Sequence, residues 1–568
     1  LQRELLAANS AACRRFFNYY FDERGYLKCV PRWGGDDGPD DAIENLTDWP
    51  VLYALGGDDD LLQMCILAWE GHLRQYTEAK TTHVPFARDG MYYKEFPTMC
   101  DWLHNGESMS VFNLLGLAGL GGLGADYAEG FAKRVRRYAG FYMNEDPGAP
   151  NYDPARRIIR SMFNGSRGPM LRKATAVDWA GDPLEVENRF VLLHGERNYD
   201  EMLAHFEEYN DVAGDHPLNM GATSLILNAY MLSGETKYRD WLLGYCQAWL
   251  ERMQANGGII PSNVGLDGSL GGECGGKWWG GVYGWGFTVT VPQTGEKAHR
   301  NLVHWGYRGF GNAILASGDL RFVEAWGAML DLINRQSRVI DGVTCYPSMY
   351  GDEGWYAYRP EPYLHGALDL YFWSMREQDR ARVVNDPWVR YLQGENPGYA
   401  HETLRADFET IRSRVQEGIT DEALTPDTRL SDNPNPYNPA TVGSLVRLML
   451  GGLPTGNAAF PLQARVRYFD PQRRRAGLPA RVAAQVEQMD ADSTTVALVN
   501  LDPTRAASVV IQGGGYGEHV ILAAEIDGRT LPVHGTWCTV RLGAGCGGRV
   551  SLRMARYAAA PRLDLPWD

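Results

Sequence analysis

Polar side chains that could carry acid–base chemistry recur in this chain where predicted helices begin. The segment DWLHNGE places Asp101, His104 and Glu107 at positions i, i+3 and i+6, on one side of a helix. Four other helix starts carry similar groups: Glu44, Asn45 and Asp48; Asp215, His216 and Asn219; His304, Tyr307 and Arg308; and Tyr363 with His365. A neutral histidine can act as a base near neutral pH, and tyrosine can relay a proton. The alternative for any one of these residues is a helix cap or a structural histidine, but their coincidence across several helices predicts a shared site.

A recurring turn determines which end of each helix these residues occupy. An apolar helical run ends at a glycine, acidic residues follow, and a second amphipathic helix begins, around Gly57, Gly122, Gly195, Gly234 and Gly318. The glycine permits a left-handed cap, and the acidic residues favour the positive end of the next helix. Each copy therefore predicts a helical hairpin, and such hairpins must stack side by side to bury their apolar faces.

The spacing of apolar residues places the helix pairs and the loops that join them. Pairs are predicted at roughly 41–79, 101–145, 177–207, 215–255, 299–339 and 361–395, with further helices at 400–416 and 437–451. Turns inside the hairpins are short, whereas the connections between hairpins are long, and long loops usually carry function. Six or seven hairpins can close into a ring whose long-loop end holds the polar residues listed above.

The composition changes near residue 458. Short alternating runs such as ARVRYFD, TTVALVNLD and ASVVIQG predict an antiparallel β-sandwich of about a hundred residues. We place the boundary within residues 451–461, which gives a helical toroid domain at 1–455 and a β-sandwich domain at 456–568. The predicted fold class is therefore mainly α, with a C-terminal β domain.

Three long loops supply candidate binding groups. The Gly-rich loop 271–287 contains Trp278, Trp279, Tyr283 and Trp285, which predict platforms for the apolar faces of sugar rings. A packed loop that plugs the ring is the alternative. Loop 346–363 adds Tyr350, Asp352 and Glu353 as substrate-binding candidates, beside Tyr363 and His365. Loop 151–173 is rich in arginine and predicts a local positive field for an anionic substrate.

Composition and missing motifs exclude several classes of function. A net charge of −15 argues against sequence-independent nucleic-acid binding, and no apolar run approaches the ~20 residues of a membrane span. The nine cysteines are dispersed, and phosphate-binding, dinucleotide-binding and HExxH motifs are missing. Asp101, His104 and Glu107 alone offer too few metal ligands. We expect no cofactor, no metal, no nucleic-acid partner and no membrane partner.

The turns LSGETKY (232–238) and ASGDLRF (316–322), the aromatic loops and the C-terminal β segment resemble carbohydrate-active (α/α) toroid enzymes. This group contains six-hairpin glycoside hydrolases and toroid-plus-sandwich polysaccharide lyases. The resemblance covers most of the chain at the level of architecture. The segment WWGGVYGW is only loosely similar to the W-x-R-G-x-G-W loop of unsaturated glucuronyl hydrolases, because it has an extra residue and no arginine. The resemblance implies a poly- or oligosaccharide substrate.

Two kinds of glycan cleavage fit the residues. A lyase acting on a uronate-containing glycan by β-elimination would use His216 or His304 as base and Tyr307 as proton donor. His104 and Asn219 would hold the acidic group, with Arg308 in support. A hydrolase would instead need two carboxylates about 5 to 9.5 Å apart. The candidates for that role are Glu44, Asp101, Glu107, Asp215, Asp352 and Glu353. The recurring histidines and the basic loop favour elimination.

Further alternatives are a sugar epimerase or isomerase on the same fold and a non-enzymatic α-solenoid scaffold. The turn glycines lie 65, 73, 39 and 84 residues apart, which disfavours a scaffold because scaffold repeats keep a fixed period. An enzyme for polymers is more useful outside the cytoplasm. A secreted or periplasmic location is therefore somewhat favoured, and it would be compatible with the removal of a leader sequence.

Overall fold

A computed structural model describes residues 1–29, 40–78, 92–93, 96–97, 102–165, 168–176, 197–209, 213–420, 425–426, 434–456 and 458–568. The expected order of a helical part followed by an antiparallel β part is confirmed. The predicted hairpin at 177–207 is described only from residue 197 onward, so most of its first helix lies outside the described residues. Within the described residues, no helix combines the length and the apolar character needed to cross a membrane.

The helical part consists of helices of very different lengths. In chain order they are α1 (Gln2–Tyr20), α2 (Asp40–Glu44), α3 (Trp49–Leu55), α4 (Asp60–Glu78), α5 (Trp102–Leu115), α6 (Gly119–Leu123), α7 (Ala125–Phe141), α8 (Tyr199–Phe206), α9 (Thr223–Ser233), α10 (Thr236–Ala255), α11 (Gly306–Ser317), α12 (Arg321–Asn334), α13 (Ala367–Ser374), α14 (Glu377–Arg380), α15 (Pro387–Leu392), α16 (Tyr399–Ile419) and α17 (Gly443–Leu445). Short 3-10 turns at Pro217–Ala222 and Val303–Trp305 precede α9 and α11. A π-helical turn, Val446–Leu450, follows α17.

The loops of the helical part fold back as two-stranded hairpins. They are β1 (Tyr92–Tyr93) with β2 (Phe96–Pro97), β3 (Tyr152–Asp153) with β4 (Ile158–Ile159), β5 (Asn164–Gly165) with β6 (Gly168–Pro169), β7 (Thr288–Thr290) with β8 (Lys297–His299), β9 (Arg338–Ile340) with β10 (Val343–Cys345), and β11 (Met349–Gly351) with β12 (Gly354–Tyr356). In the last of these hairpins Tyr350 lies opposite Trp355.

The turn motif holds where its glycines are described, with shifts of a few positions. Gly234 and Gly318 end α9 and α11 with left-handed φ values of 69° and 71°. In the first hairpin the left-handed residue is Gly56 rather than Gly57. In the second, Gly119 and Gly124 have positive φ instead of Gly122. Gly195 lies outside the described residues.

Neighbouring helices pack through one continuous apolar core. The helix α9 contacts α7 and α11, and α11 in turn contacts α12 and α13. The first helix, α1, packs against α16, which is nearly the last helix of this part. Large aromatic side chains, among them Trp49, Trp102 and Trp326, are almost completely buried between the helices. The helical part therefore brings residues from the two ends of its sequence together.

The β part forms two antiparallel sheets. One sheet has the order β14 (Arg475–Ala476), β13 (Val466–Asp470), β17 (Ala507–Gly513), β20 (Trp537–Leu542). The other has the order β15 (Val482–Met489), β16 (Ser493–Asn500), β21 (Gly547–Ala555), β18 (Val520–Ile526), β19 (Arg529–Gly535). In the first sheet β13 pairs with β17 so that Val466 lies opposite Gly513.

The short turns of the helical hairpins lie against this β part. Arg475 donates to the Tyr53 carbonyl near the end of α3 at 2.9 Å, and Arg556 donates to the Trp373 carbonyl near the end of α13 at 2.9 Å. Other helix ends receive hydrogen bonds from Arg467 (to the Leu117 carbonyl) and from the Leu563 amide (to the Met231 carbonyl). Because helix C-termini carry partial negative charge, guanidinium groups stabilise them. The β part covers the turn end of these helices and leaves their starts facing away from it.

A loop between the two parts is inserted among the helices. Its ends, Leu453 and Gln463, are joined by a β-bridge. Within this loop, which we call the inserted loop (residues 453–463, with 457 outside the described residues), Thr455 donates to Asp48 and the Ala459 amide donates to Ser110. Phe460 contacts Trp305 and Arg308 further along the chain. The described residues of the segment predicted as the domain boundary are thus largely buried.

Candidate functional site

Two histidines meet where neighbouring helices begin. His304 lies in the turn Val303–Trp305 just before α11, and His365 lies two residues before α13. Their imidazole rings stack with centroids 4.1 Å apart and planes 16° apart. Since α11 is 12 residues long, this pair lies about 18 Å from the turn end that the β part covers.

A hydrogen bond and a glycine fix the backbone around His365 close to neighbouring aromatic rings. The Trp326 indole N–H donates to the His365 carbonyl at 2.9 Å. Gly366 has φ 82°, and a Cβ atom at this position would lie 2.8 Å from the Tyr307 ring. Only glycine combines this left-handed backbone with such a close ring. The sequence HG at 365–366 therefore places the histidine against its neighbours from α11.

Burial and nearby cations keep both imidazoles neutral. Burial is the main cause that lowers the pKa of His304 to about 3, and the neighbouring His365, Arg308 and Arg359 act in the same direction. Burial lowers the pKa of His365 to about 4, with Arg359 as the second cause. Both rings are therefore unprotonated at neutral pH, and each has a nitrogen that can accept a proton.

Tyr307, Arg308 and Asp369 adjoin the histidine pair. A terminal guanidinium nitrogen of Arg308 lies 3.6 Å from the Asp369 carboxylate, and the Arg308 side chain is 26% exposed. The guanidinium also lies over the Tyr307 ring at 5.0 Å and over the Phe460 ring at 5.2 Å. Burial raises the pKa of Tyr307, and the Asp369 charge raises it further, so its hydroxyl stays protonated. These residues together combine a proton acceptor, a proton donor and a partly exposed cation. We call this group the histidine centre (His304, Tyr307, Arg308, His365, Asp369).

We expect the histidine pair to make the fold sensitive to acid. An unfolded histidine takes up a proton below about pH 6.5, whereas the folded chain keeps both rings neutral to about pH 3 and 4. The unfolded state therefore binds more protons in this window, and the free energy of unfolding falls by up to ~1.4 kcal/mol per pH unit for each ring as the pH drops. The glutamine side chain of a His365→Gln variant does not take up a proton. The free energy of unfolding of this variant should therefore fall less steeply with decreasing pH, by the contribution of one ring. Urea unfolding between about pH 7 and 4.5 measures this slope, and equal slopes in variant and wild type would contradict the assignment.

Asp215, His216 and Asn219 form a second, buried cluster. Asp215 is 1% exposed and accepts hydrogen bonds from Asn219 at 3.1 Å and from the Tyr245 hydroxyl at 3.0 Å. His216 is 3% exposed, and its Nδ1 accepts the Leu218 amide, which caps the turn Pro217–Ala222. Burial raises the pKa of Asp215 to about 6. This cluster fastens loop 158–165 to the start of α9 beside the histidine centre, because its turn packs against Val303–Trp305.

The remaining predicted polar residues are spread over other helix starts. His104 and Glu107 are half-buried on α5, and Asp101 lies outside the described residues. Glu44 is 8% exposed and accepts a hydrogen bond from Asn435, whereas Asn45 is completely buried and donates to the Ala42 carbonyl.

The aromatic loop divides into a buried half and a half-exposed half. Trp285 is completely buried and donates its indole N–H to the Ile260 carbonyl at 2.7 Å, and Tyr283 is 6% exposed. Tyr363 is also buried, with its ring 4.8 Å from that of His365. Trp278 and Trp279 are half-buried and pack on Tyr350, with centroids 4.7 and 5.3 Å away. Buried Trp285 fits the packed-loop alternative, whereas Trp279 faces open space.

That space is an open pocket of about 820 Å³, which we call the aromatic pocket. Its lining includes Trp279, Phe287, Thr288, Arg338, Asp352, Glu353, Trp355, Tyr356 and Tyr358. The predicted residues Asp352 and Glu353 are exposed at its rim, where Asp352 pairs with Lys277 at 2.8 Å. The histidine centre and the aromatic pocket are thus two distinct places in the same helical part.

One member of the histidine centre, Asp369, and one residue that contacts it, Phe460, were not predicted as site residues. Asp369 is four residues after His365. A largely buried arginine such as Arg308 needs a carboxylate as counter-charge, and this requirement could have indicated Asp369. Phe460 comes from the inserted loop, which carries no sequence signal for contact with α11. Among the described residues, no group of three or more His, Cys, Asp or Glu side chains is arranged to hold a metal ion.

Comparison with known proteins gives one match. Residues 1–341 match the model of a family described as a domain of unknown function (DUF8034). This range contains His304, Tyr307 and Arg308, and it ends before His365. No curated protein and no solved structure matches the chain. Because the matched residues make up more than half of the 568 in the sequence, the chain belongs to the DUF8034 family.

Proposed function

We propose that this protein cleaves the glycosidic linkages of an acidic, uronate-containing poly- or oligosaccharide by β-elimination at the histidine centre. The observation that carries the proposal is the stacked pair His304–His365, neutral at physiological pH and flanked by Arg308. A neutral base beside a cation suits the removal of a proton next to a carboxylate, because the cation stabilises the negative charge that develops.

The proposed reaction assigns one task to each group. The imidazole of His304 accepts the proton from the carbon that bears the uronate carboxylate. Arg308 neutralises that carboxylate with the exposed part of its guanidinium. As the carbon–carbon double bond forms, the bond to the leaving sugar oxygen breaks, and the Tyr307 hydroxyl donates a proton to that oxygen. His365 holds the His304 ring by stacking, and the proton on His304 returns to Tyr307 through solvent.

Binding of the substrate would also adjust the base. A histidine with a pKa of about 3 is a weak base; burial is the main cause of this low pKa, and the charges of Arg308 and Arg359 add to it. A bound carboxylate would compensate the arginine charges and raise the pKa of His304 towards its ordinary value. The proposal therefore favours an acidic glycan over a neutral one.

The architecture that we propose is an (α/α) toroid followed by a β-sandwich. Contacts that continue from α1 through α3 and α5 to α9, α11 and α13, together with the contact between α1 and α16, support a closed ring. The two antiparallel sheets support the sandwich. In such a ring the histidine centre would face the open end, opposite the end that the β part covers.

A glycoside hydrolase is the second candidate, and Asp48 is the observation that favours it. This half-buried carboxylate precedes α3 with a left-handed φ of 71°, and burial raises its pKa to about 6. Thr455 of the inserted loop donates a hydrogen bond to the Asp48 carboxylate at 3.0 Å. Phe460, five residues later in the same loop, contacts Arg308 of the histidine centre. A carboxyl group with a raised pKa can serve as a general acid.

One experiment separates these candidates. The purified protein is incubated with uronate polysaccharides and their oligomers while ultraviolet absorbance and new reducing ends are recorded together. We expect both signals to rise, because elimination leaves an unsaturated uronate at the new non-reducing end. Reducing ends without absorbance would show hydrolysis; Asp48 would then be the candidate general acid, and a second carboxylate would be required as base or nucleophile. The absence of both signals across the panel would refute the proposal.

A further inference from the structure

The aromatic pocket is built unlike the histidine centre. Its walls present the half-buried rings of Trp279, Trp355, Tyr356 and Tyr358 to solvent. These rings are held by their neighbours, since Trp355 packs edge-on against buried Trp285 at 5.6 Å. Rigid aromatic surfaces that stay half-exposed in a concave site are a common basis for binding ligands with an apolar face.

A polar cluster sits in the wall between these rings. The Thr288 hydroxyl lies 2.8 Å from Nδ1 of His299 and 3.1 Å from the Tyr356 hydroxyl. The His299 and Tyr356 rings also meet edge to face at 5.5 Å. Thr288 and Tyr356 line the pocket, so two hydroxyl groups, each able to donate or accept, lie on a wall whose neighbours are aromatic, and His299 adjoins them from outside the lining. Hydroxyl groups on an otherwise apolar ring are the ligand chemistry that matches this wall.

The charges at the rim are nearly balanced. Lys277 and Asp352 form an exposed pair at 2.8 Å, which joins the Gly-rich loop to the β11–β12 hairpin. The Arg338 guanidinium lies over the Tyr358 ring at 4.8 Å, and no carboxylate of the described residues lies within 4 Å of it. Glu353 completes the rim. Arg338 is therefore the group that could accept one acidic substituent, whereas the pocket as a whole does not require one.

A series of packed aromatic rings lies between this pocket and the histidine centre. From the pocket wall at Trp355, ring contacts run to Trp285 at 5.6 Å and on to Tyr363 at 5.7 Å. Tyr363 then contacts His365 at 4.8 Å. Three ring contacts of 4.8 to 5.7 Å thus connect the two places. A ligand in the pocket would not touch the histidines.

We propose that the aromatic pocket is a second carbohydrate subsite, which binds a pyranose unit of the glycan chain several units away from the bond cleaved at the histidine centre. This inference rests on the proposed function for the identity of the chain. The sugar ring would stack on Trp279 and Tyr358, and its hydroxyl groups would bond to Thr288 and Tyr356. The pocket would therefore make the protein prefer chains long enough to reach both places.

The test is calorimetric binding of hexasaccharides and disaccharides from polygalacturonate and alginate, with cellohexaose as a neutral probe, to the full-length protein. Trp279→Ala is expected to weaken hexasaccharide binding roughly tenfold and to weaken disaccharide binding less, because only the longer chain reaches the pocket. Trp537→Ala is the matched control, because Trp537 is 44% exposed on β20 in the other part of the chain. Tyr356→Phe, which removes only the hydroxyl, is the second variant if Trp279→Ala does not fold.

The outcomes distinguish this inference from the proposed function. Hexasaccharide binding that depends on Trp279, without any cleavage, would support the pocket and refute the enzymatic proposal. Cleavage of hexasaccharides that Trp279→Ala and Tyr356→Phe leave unaffected would refute the pocket alone. Failure of every hexasaccharide to bind, or an equal loss in Trp537→Ala, would also overturn the inference. Tighter binding of cellohexaose than of the uronate chains would support the pocket and assign it to neutral sugars.

Discussion

Replacing His304 with alanine is expected to lower turnover of a uronate oligosaccharide by about 10²- to 10⁴-fold, the usual contribution of a positioned general base. The variant loses the proposed proton acceptor and the ring on which His365 stacks at 4.1 Å. Because the ring is largely buried but not part of the deepest core, the helices around it should remain folded. The initial rate of unsaturated product formation, measured with a melting curve of the same sample, tests this prediction.

A matched control for this variant is His401→Ala. His401 is exposed on the surface of α16 and belongs to neither the histidine centre nor the aromatic pocket. Its replacement should leave the rate unchanged within error. A second diagnostic variant is Tyr307→Phe, which keeps the packing against Trp326 and removes only the proposed proton donor. Wild-type rates in both His304→Ala and Tyr307→Phe would exclude the histidine centre as the place of reaction.

Replacing Gly221 with alanine is expected to destabilise the fold by about 3 kcal/mol or more. A Cβ atom at Gly221 would overlap the indole of Trp102, which is 1% exposed between α5 and the turn Pro217–Ala222. Trp102 also packs edge to face against Tyr142, which restricts the movement of the indole on that side. Urea unfolding of the variant and the wild type measures the difference in the free energy of unfolding.

The control for this substitution is another helical glycine. Gly244 lies within α10, and a Cβ atom added there would meet nothing within 4 Å. Gly244→Ala is therefore expected to stabilise the protein by about 0.5–1 kcal/mol, since alanine loses less backbone freedom in a helix. If Gly221→Ala and Gly244→Ala change the free energy of unfolding alike, the close packing of Trp102 is refuted.

Local chemistry explains which parts of the fold were predictable. Gly234 and Gly318 end their helices as expected, because the left-handed cap depends on residues next to each other in the sequence. Most strands of the β part also follow their alternating pattern. The strand β19 (Arg529–Gly535) has no such pattern, because it contains Pro532 and lies at the edge of its sheet with mostly exposed side chains.

The candidate site shows the limit of the same reasoning. His304 and His365 were each located at a helix start, but no local signal indicated that their rings stack. Asp369 and Phe460 reach Arg308 only through the tertiary fold. The aromatic loop is similar, because Trp279 and Trp285 look alike in sequence, although one faces a pocket and the other is completely buried. Burial depends on what packs from elsewhere in the chain.

The inserted loop connects the helical part to the β part and is itself packed among the helices. Its first end follows the turn Val446–Leu450, its second end leads into strand β13, and its middle contacts Asp48, Ser110 and Arg308 at three separate helices. Helix residues that face this loop should therefore vary together with it during evolution, as the two sides of an obligate interface do. An anion held by Arg308 should also slow amide hydrogen exchange beyond the helices, in the strand that begins at Val466. Amide hydrogen exchange in the β part would then depend on whether an anion is bound at the histidine centre.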